Sequence, residues 1–578
     1  MTRRAALGVL GFGLILAGIF LPRDWYDALP RQSGLPPPPI KGVTLLQLSF
    51  VLEGLALLWL GLRRWSFTRL EQRERLAPPS PPEDAAAARS TELWTLAAIT
   101  LLALSLRLIR LDADLWLDEI TPILDYGSLS ALQVIGTYFS TNNHLLNTLL
   151  GKLAVATFGE TEWAVRLPAM LFGTATIPAL YWVARLALSR EASLGAALLL
   201  AVSYHHVFFS QNARGYTAYL FFSLVSSGLL VKGLQEDRAR TWALYVAATF
   251  LNFASLLNAA FVFASHVLVG AGAVLTLRRS SAPVTPLMRR LLVVFGVSAF
   301  LAFQLYATIL PQAYVIVGVV YTSQATGYAA LSGEFLRELV RGVSAGFGTG
   351  LILGVAPFLI VGAAGFLELL RRQWALAAAL ALPGILTALF LMARGLTFSP
   401  RFFLLALPLT VVSAVQGLWS GAQAVARILP RRPTALASGL AWTLVLVAAA
   451  VSAASLRGYY SVPKQAYRAS IEYLEGQRHP GDIVMVVYLA EKGYRYYGRR
   501  FGLKEGQDYF FVRSVEAFET TLSSRDTTRV FLVTTFPRAL RLNHPGLYAR
   551  MARDWAPVRT FRGTVGDGEI SVWRHRQS

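Results

Sequence analysis

Two adjacent carboxylic acids, Asp118 and Glu119, are the residues of this sequence best placed to do chemistry. They end a segment in which six ionisable groups follow an apolar stretch. A carboxylate held against hydrocarbon without a partner is costly, so acids at the surface end of a membrane helix indicate a functional site. Because Leu115, Trp116 and Leu117 are apolar, we expect these acids at the lipid boundary. A carboxylate there can accept a proton from a hydroxyl group.

Arginine residues at the outer ends of later apolar runs supply the opposite charge. Outer loops of membrane proteins are poor in arginine, so these residues need another explanation. Guanidinium groups form paired, charge-assisted hydrogen bonds with phosphate, and we predict this role for Arg214 and Arg401, which lie far in sequence from any acid. For Arg107 and Arg110, which adjoin the acids, we instead expect ion pairs with the neighbouring carboxylates.

His144 follows two asparagines at the start of a short apolar segment. A lone histidine is as consistent with an interface hydrogen bond as with a ligand contact. A divalent metal on Asp118, Glu119 and His144 is geometrically allowed, but the spacing is not diagnostic, so we predict no metal and no other cofactor. The sequence contains no cysteine, which excludes disulfides, thiolate chemistry and Cys-ligated metals.

Membrane helices are the elements that must position these side chains. The chain has 578 residues, of which 54% are hydrophobic and 15% charged, and long apolar runs alternate with short arginine-bearing loops. This pattern predicts an all-α polytopic membrane protein with about thirteen transmembrane helices. The positive-inside rule and attraction to anionic lipid explain the net charge of +21, so no nucleic-acid partner is predicted.

Composition divides the chain into four regions. They are two N-terminal transmembrane helices at 1–62, a cytoplasmic Pro-rich linker at 63–92, a membrane core at 93–455 with a first outer loop at 110–162, and an extracytoplasmic α/β domain at 456–578. After a span at Leu93–Ile109, the core spans are predicted at Trp163–Leu188, Ala192–Phe209, Gly215–Leu234, Trp242–Leu256, Ala259–Leu277, Leu291–Leu310, Gly342–Leu370, Trp374–Ala393, Phe402–Ile428 and Ala435–Ser455.

Arginine and lysine fall on alternate connections, which places the first outer loop and the C-terminal domain on the same side of the membrane. The apolar run Leu145–Phe158 therefore cannot cross, and we predict an interfacial helix. In the C-terminal domain, period-two and buried patterns predict strands and one helix. The strands are Asp482–Tyr488, Arg529–Thr535 and Glu569–Trp573, and the helix is Ala466–Glu475.

The ordered set of motifs resembles that of the GT-C membrane glycosyltransferases, especially glycosyltransferase family 39, which includes the protein O-mannosyltransferases, and the lipid A aminoarabinose transferase. The matching segments are Asp118-Glu119, Asn143–Leu146, Glu162–Pro168, Ser210–Tyr216 and Ser399–Pro408. Relatives often have His-Pro-Pro-Leu where this sequence has leucines after the histidine, so the start of that helix is expected to differ in shape.

The resemblance implies a hexosyl- or pentosyltransferase that moves a sugar from a polyprenyl-phosphate donor to a hydroxyl group of a lipid, glycan or protein acceptor. It further implies the outer face of the bacterial cytoplasmic membrane as the place of reaction, Asp118 as the general base and Glu119 as its partner. A single base and direct displacement predict inversion at the anomeric carbon. The predicted substrate-binding residues are His144, Arg166, Gln211, Arg214, Tyr216, Arg394 and Arg401.

Two other classes of protein stay open. A lipid-linked sugar flippase would bind the same phosphate without chemistry, and a non-catalytic subunit of envelope glycan assembly would need neither the acids nor the arginines. A transporter predicts inverted repeats and ionisable groups near the membrane midplane. Here the charges gather at one interface, which favours the enzyme.

Overall fold

The structure is a computed structural model that describes residues 3–30, 37–62, 86–140, 142–316, 328–329, 332–337, 350–428, 433–523 and 525–576. Most of the predicted cytoplasmic linker, up to residue 85, and the beginning of the span predicted from residue 342 lie outside these residues.

Helices dominate the chain as far as residue 461. They are α1 (Arg3–Phe20), α2 (Asp24–Asp27), α3 (Gly42–Leu62), α4 (Ala86–Leu108), α5 (Leu117–Tyr126), α6 (Ala131–Gly136), α7 (Leu145–Phe158), α8 (Glu162–Ala184), α9 (Arg190–Ala201), α10 (Tyr204–Ser210), α11 (Tyr216–Glu236), α12 (Ala239–Ser255), α13 (Ala259–Arg279), α14 (Thr285–Ala307), α15 (Leu310–Ile316), α16 (Gly350–Arg372), α17 (Trp374–Ala393), α18 (Ala406–Ile428) and α19 (Pro433–Ser461).

Within the described residues, eight helices are long and apolar enough to cross a membrane, or nine if the bent pair α9 and α10 forms one span. The predicted fold class is confirmed, whereas the predicted number of about thirteen spans is not confirmed by this count. Helix α11 lies at the centre of the bundle with most of its side chains buried, and α4 lies at the edge with few. The helix predicted not to cross, α7, begins and ends at the predicted residues.

The span predicted at Ala192–Phe209 is broken, because α9 and α10 meet at an angle of 60°. Ser203 begins α10 and its hydroxyl accepts the backbone N–H of His206 at 3.5 Å. The break leaves the carbonyl of Ala201 without a helical partner, and Arg107 of α4 donates to it at 3.2 Å. A polar group freed inside a membrane protein must be satisfied by a neighbouring helix, which Arg107 does here.

The two N-terminal helices pack against each other and α3 packs against α14. Glycines make the first contact close, since a Cβ on Gly54 would lie 2.4 Å from the carbonyl oxygen of Gly11. Small residues of this kind let the backbones of membrane helices approach. The loop between α1 and α3 is anchored by Tyr26, whose hydroxyl accepts the N–H of Gly42 at 2.9 Å.

The C-terminal domain is a five-stranded sheet covered by short helices. Its elements are α20 (Tyr467–Gln477), β1 (Ile483–Val487), α21 (Ala490–Tyr497), β2 (Tyr509–Val512), α22 (Val515–Leu522), β3 (Val530–Thr535), α23 (Pro537–Asn543), α24 (Pro545–Asp554), β4 (Trp555–Phe561) and β5 (Ile570–His575).

The strand order is β2-β1-β3-β5-β4, with β2, β1 and β3 parallel and β5 antiparallel to both of its neighbours. All three predicted strands and the predicted helix are present. Sequence reasoning missed β2, which is only four residues long, and β4, whose residues are mostly exposed. Neither has the buried apolar run that identifies a central strand.

Candidate active site

The acidic pair lies in the first turn of α5, just after the chain leaves α4. Both carboxylates are therefore near the positive end of the helix dipole, where negative charge is favoured. The Glu119 carboxylate also accepts the N–H of Trp116 at 3.3 Å, which caps the helix from within. This local geometry fixes the direction in which each acid leaves the helix.

Glu119 is completely buried and its carboxylate is saturated with donors. Arg166 of α8 binds it with both ends of the guanidinium fork, Nε to Oε1 at 2.8 Å and Nη2 to Oε2 at 2.7 Å. The backbone N–H of Ala213 adds a further bond to Oε1 at 2.8 Å. Burial opposes ionisation, but the charges of Arg166 and of the nearby Lys464 keep the pKa of Glu119 below its usual value.

Arg166 has no N–H donor left for a ligand. Besides Glu119, its guanidinium group donates to three backbone carbonyls of the segment before α5. These are Leu111 at 2.9 Å, Ala113 at 2.6 Å and Asp114 at 2.9 Å. The residue therefore holds the acidic segment against α8.

Asp118 points to the other side of α5, towards two arginines from distant parts of the chain. Arg214, in the turn between α10 and α11, pairs with Oδ2 of Asp118. Arg401, between α17 and α18, donates to the same oxygen at 2.8 Å. Both guanidinium groups thus converge on Oδ2, and Oδ1 takes part in neither contact. The Asp118 side chain keeps 14% of its surface exposed, whereas Glu119 keeps none.

His144 and Asn142 complete the surroundings of Arg214. The Nη2 atom of Arg214 donates to Asn142 Oδ1 at 2.6 Å and lies 3.1 Å from Nε2 of His144. Tyr216 closes this side, since its ring centroid is 5.3 Å from the imidazole and 5.1 Å from the guanidinium carbon. The close approach requires Gly215, because a Cβ there would be 2.3 Å from a backbone oxygen and 3.0 Å from the imidazole.

The imidazole of His144 is held in one tautomer. Its Nδ1 accepts the backbone N–H of Gly215 at 2.9 Å, so a neutral ring carries its proton on Nε2. Burial and the charges of Arg214 and Arg401 keep the pKa of His144 well below 6.5, so the ring is neutral at physiological pH. The Nε2–H group and the Arg214 N–H groups then face one another as two donors that share no acceptor.

Lys464 belongs to this region, although sequence reasoning did not identify it. It lies in the short link between α19 and α20 and is buried, with Nζ donating to the carbonyl of Gln211 and 3.7 Å from Glu119 Oε1. Next to it, Gln465 accepts the N–H of Leu117 at 2.7 Å. A lysine between the last span and a soluble domain has no distinctive sequence pattern, so only the fold could reveal this contact.

The C-terminal domain binds the acidic segment through side chains of α20 and α21. Arg468 of α20 binds the Asp114 carboxylate through Nε at 2.5 Å, and the hydroxyl of Tyr497 in α21 accepts the N–H of Leu115 at 2.7 Å. Leu115 and Ile120, on either side of the acids, belong to the hydrophobic core of the outer domain. The position of Asp118 is consequently set by the bundle and by the outer domain together.

The structure brings most of the predicted site residues together. Asp118, His144, Arg214, Tyr216 and Arg401 form one cluster, which we name the aspartate cluster. Behind it, Glu119, Arg166, Gln211 and Lys464 form a second group, which we name the glutamate cluster.

Three of the predicted substrate-binding residues show no contact with the aspartate cluster. Arg166 binds Glu119 and three backbone carbonyls instead. The Gln211 side chain donates to the carbonyls of Arg107 and Ile109, both at 2.7 Å, and so ties α10 to the end of α4. Arg394 is exposed at the end of α17, before the segment that carries Arg401. Its predicted role in binding the donor stays a prediction.

The expected pairing of the arginines was wrong. Arg107 and Arg110 adjoin the acids in sequence but contact none of them: Arg107 binds Ser210, His206 and two carbonyls, and Arg110 donates to the carbonyl of Tyr460. Arg214 and Arg401, far from any acid in sequence, are the ones that pair with Asp118. Helix α4 ends before the acids, and the chain then turns, so neighbours in sequence face different sides.

In the parts of the chain that the structure describes, no three His, Asp or Glu side chains are grouped as metal ligands. The acids considered for such a site are each held by arginine.

Residues 145–306 match the family described as Dolichyl-phosphate-mannose-protein mannosyltransferase. The resemblance to membrane glycosyltransferases is confirmed. The matched range contains Arg166, Gln211, Arg214 and Tyr216, and it leaves out Asp118, Glu119, His144, Arg394 and Arg401. No curated protein matches the chain significantly.

Several solved structures align with most of the chain. ArnT from Cupriavidus metallidurans, in the apo state and bound to undecaprenyl phosphate, is 13% identical; the alignments cover 84% and 85% of this chain and 98% of ArnT, with TM-scores of 0.47 and 0.45. The oligosaccharyltransferase of Archaeoglobus fulgidus is also 13% identical. The alignment covers 83% of this chain and 74% of the oligosaccharyltransferase chain, with a TM-score of 0.43.

Proposed function

We propose that this protein is a membrane glycosyltransferase that transfers a sugar from a polyprenyl-phosphate donor to an acceptor hydroxyl group. The observation that carries the proposal is the convergence of Arg214 and Arg401 on one oxygen of Asp118. A base and two phosphate-binding groups are thereby within hydrogen-bond distance of each other. The matched family, named for a dolichyl-phosphate-linked mannose donor, supports a donor of this class.

The donor phosphate competes with Asp118 for the two guanidinium groups. Arginine binds phosphate through paired, charge-assisted hydrogen bonds, so a phosphate placed between Arg214 and Arg401 draws them away from Oδ2. The Nε2–H group of His144 faces the same arginine and lacks an acceptor there, and a phosphate oxygen would satisfy both donors. The charge that leaves with the polyprenyl phosphate is stabilised by the same groups.

Asp118 then acts on the acceptor. A polyprenyl phosphate is a good leaving group once arginine absorbs its charge, so the attacking hydroxyl group is the difficult partner. A carboxylate within about 3 Å can remove its proton, which typically contributes roughly 10² to 10⁴-fold in rate. Attack from the face opposite the phosphate inverts the anomeric carbon. The atoms balance: the C–O bond to phosphate breaks, the new glycosidic bond forms, and the proton goes to Asp118.

The glutamate cluster has a positioning role in this proposal. Glu119 and Arg166 are buried and mutually saturated, so they support Asp118 without touching the substrate. We propose that the reaction takes place at the outer face of the bacterial cytoplasmic membrane and needs no metal ion. Two guanidinium groups on Asp118 disfavour a divalent cation at that carboxylate. Transfer should therefore persist in excess chelator, and loss of transfer that only a divalent cation restores would contradict this point.

The test is a transfer assay with the purified full-length protein in lipid nanodiscs. A panel of radiolabelled polyprenyl-phosphate sugars is incubated with membrane extract as the source of acceptors, and label is followed into the acceptor fraction. Asp118→Asn keeps the shape of the side chain and removes its basicity, so we expect transfer to fall by about 10² to 10⁴-fold with the donor still bound. Asp112→Asn, an exposed change in the same segment, is the matched control.

Each outcome separates the classes of function. Transfer at the parental rate in Asp118→Asn, or a product that keeps the donor's anomeric configuration, rules out the proposed mechanism. Saturable donor binding without transfer, in the parent and with every sugar of the panel, favours the flippase. Absence of both binding and transfer favours a non-catalytic assembly subunit.

A further inference from the structure

A polar cavity that Arg166 lines, and that no residue of the aspartate cluster lines, lies between the outer ends of α4 and α19. The volume of about 270 Å³ includes the open solvent at its mouth, and the enclosed part is much smaller. The polar lining is given by Arg110, Arg166, Gln211, Tyr459, Tyr460 and Lys464. Three of these residues are basic and none is acidic. Neither Arg214 nor Arg401 lines it, so it is separate from the aspartate cluster.

The positive charge around this cavity exceeds the negative charge available to it. Glu119 lies beside two of the lining residues, Arg166 and Lys464, and its Oε1 already accepts bonds from Arg166 and from the N–H of Ala213. The ammonium group of Lys464 therefore stays 3.7 Å from that oxygen. One buried carboxylate thus faces the buried guanidinium of Arg166 and the buried amine of Lys464, whose pKa burial lowers to about 7, and Arg110 adds a further charge at the mouth. Buried charge without compensation is costly, so an anion in the cavity would be stabilising.

The donors at this place also suit an anion with several oxygens. Arg110 uses Nη1 for the carbonyl of Tyr460, and a guanidinium group has further N–H donors in the same plane. Lys464 carries an ammonium group with more than one donor. A phosphate group, with several acceptor oxygens on one centre, can bind both side chains at once.

The mouth of the cavity lies at the membrane boundary. Leu108 and Ile109, immediately before Arg110, are exposed over 51% and 43% of their surface, as expected for side chains that face lipid. Tyr459 and Tyr460 follow the apolar part of α19 and have the amphipathic character of residues at the lipid headgroup level. The cavity therefore opens at the level of the lipid headgroups, so the headgroup is the part of a lipid that would enter it.

We propose that the cavity between Arg110 and Lys464 binds a phosphate group, either of an anionic lipid headgroup or as free phosphate. The site shares no residue with the aspartate cluster, but Arg166, Gln211 and Lys464 of the glutamate cluster line it. The bound anion would lie at the outer end of the bundle, next to the glutamate cluster that positions Asp118.

The experiment uses the full-length protein in a neutral detergent and a phosphate-free buffer. Binding of dihexanoyl phosphatidic acid, inorganic phosphate and uncharged dihexanoylglycerol is measured by isothermal titration calorimetry. Arg110→Gln is expected to weaken phosphatidic acid binding by roughly tenfold or more, because a charge-assisted contact is lost. Arg457→Gln removes an exposed arginine from the same end of α19 and should leave the affinity unchanged. Arg401→Gln separates this site from the aspartate cluster: it should remove only the binding that belongs to the aspartate cluster and leave the Arg110-dependent binding unchanged.

The results decide both the site and its ligand. Binding that depends on Arg110 supports the proposal, and the comparison of phosphatidic acid with inorganic phosphate then identifies a lipid headgroup or the free anion. Binding that is unaffected by Arg110→Gln, or that dihexanoylglycerol reproduces, overturns it, and so does loss of the Arg110-dependent binding in Arg401→Gln. A transfer assay on the same variants keeps failure of this site distinct from failure of the proposed function.

Discussion

Asp118 and Glu119 are joined by one peptide bond, yet their surroundings differ in almost every respect. Glu119 is fully buried and accepts bonds on both oxygens from one arginine and from the backbone. Asp118 is partly exposed, and its Oδ2 pairs with two arginines that come from different connections of the bundle. Consecutive residues of an α-helix point about 100° apart, so Glu119 faces α8 and Asp118 faces Arg214 and Arg401.

The difference shows how one short motif can supply both a reactive group and its support. A base must be held within a fraction of an ångström of its working position, which requires neighbours whose own geometry is fixed. Glu119 and Arg166 provide this by joining α5, α8 and the segment before α5. The acid that is easier to reach is therefore the one available for chemistry.

The sharpest way to break this comparison is to remove the partner of the buried acid. Arg166→Met leaves Glu119 buried without its cation and frees three backbone carbonyls of the acidic segment. Loss of one member of a buried ion pair typically costs about 3 to 5 kcal/mol of folding free energy. We expect a loss of this size in chemical unfolding of the purified protein in mixed micelles.

The same substitution at an exposed pair is the control. Arg372 pairs with Glu368 on the surface of α16, and such a pair contributes at most about 1 kcal/mol, so Arg372→Met should change the unfolding curve little. Asp118→Asn should also cost far less stability than Arg166→Met. If Arg166→Met unfolds like the parent, the glutamate cluster is not the support of the site.

Sequence reasoning predicted the chemical groups better than their partners. The motifs indicated Asp118, His144, Arg214 and Arg401, and the structure brings these four together. The sequence-based prediction that Arg107 pairs with the neighbouring acids was wrong, because adjacency along the chain does not determine the direction in which a side chain leaves a helix end. Lys464 was missed for a related reason: its role depends on a contact with Gln211, and no local pattern encodes a contact over such a separation.

The same limit applies to the fold. Long apolar runs identified most of the membrane helices, since a span has a length and composition that the bilayer dictates. The bend between α9 and α10 was not predicted, because it depends on Arg107 from another helix. Likewise, the sequence indicated a separate outer domain, but the domain shares its hydrophobic core with Leu115 and Ile120 of the first outer loop.

A second prediction sharpens the comparison on the side of Asp118. Arg401→Lys keeps the charge and loses the planar fork that matches phosphate. Because a hydrogen bond to a charged group contributes about 1.5 to 3 kcal/mol, donor affinity should fall roughly 10- to 150-fold while folding is retained. Equilibrium binding of a radiolabelled polyprenyl-phosphate sugar measures the change.

The neighbouring arginine provides the comparison for this variant. Arg394 is exposed and shows no contact with the aspartate cluster, so Arg394→Lys should weaken donor binding much less. Equal affinities of the parent and a well-folded Arg401→Lys variant would remove Arg401 from the donor site. An effect of Arg394→Lys larger than that of Arg401→Lys would reverse the assignment of the two arginines.

The smallest expected effect concerns Lys464, which links the outer domain to the buried acid. Burial and the charge of Arg166, only partly offset by Glu119, lower the pKa of Lys464 to about 7. An unfolded lysine has a pKa of about 10.4, so between these values the unfolded chain binds one more proton and stability rises with pH, by at most about 1.4 kcal/mol per pH unit. Lys464→Met should flatten this rise of stability, which is measured as the change in melting temperature between pH 7 and pH 9. Lys492→Met, a partly exposed lysine paired with Asp125, should keep it. An unchanged slope in Lys464→Met would mean that the Lys464 ammonium stays charged in the folded protein over this range.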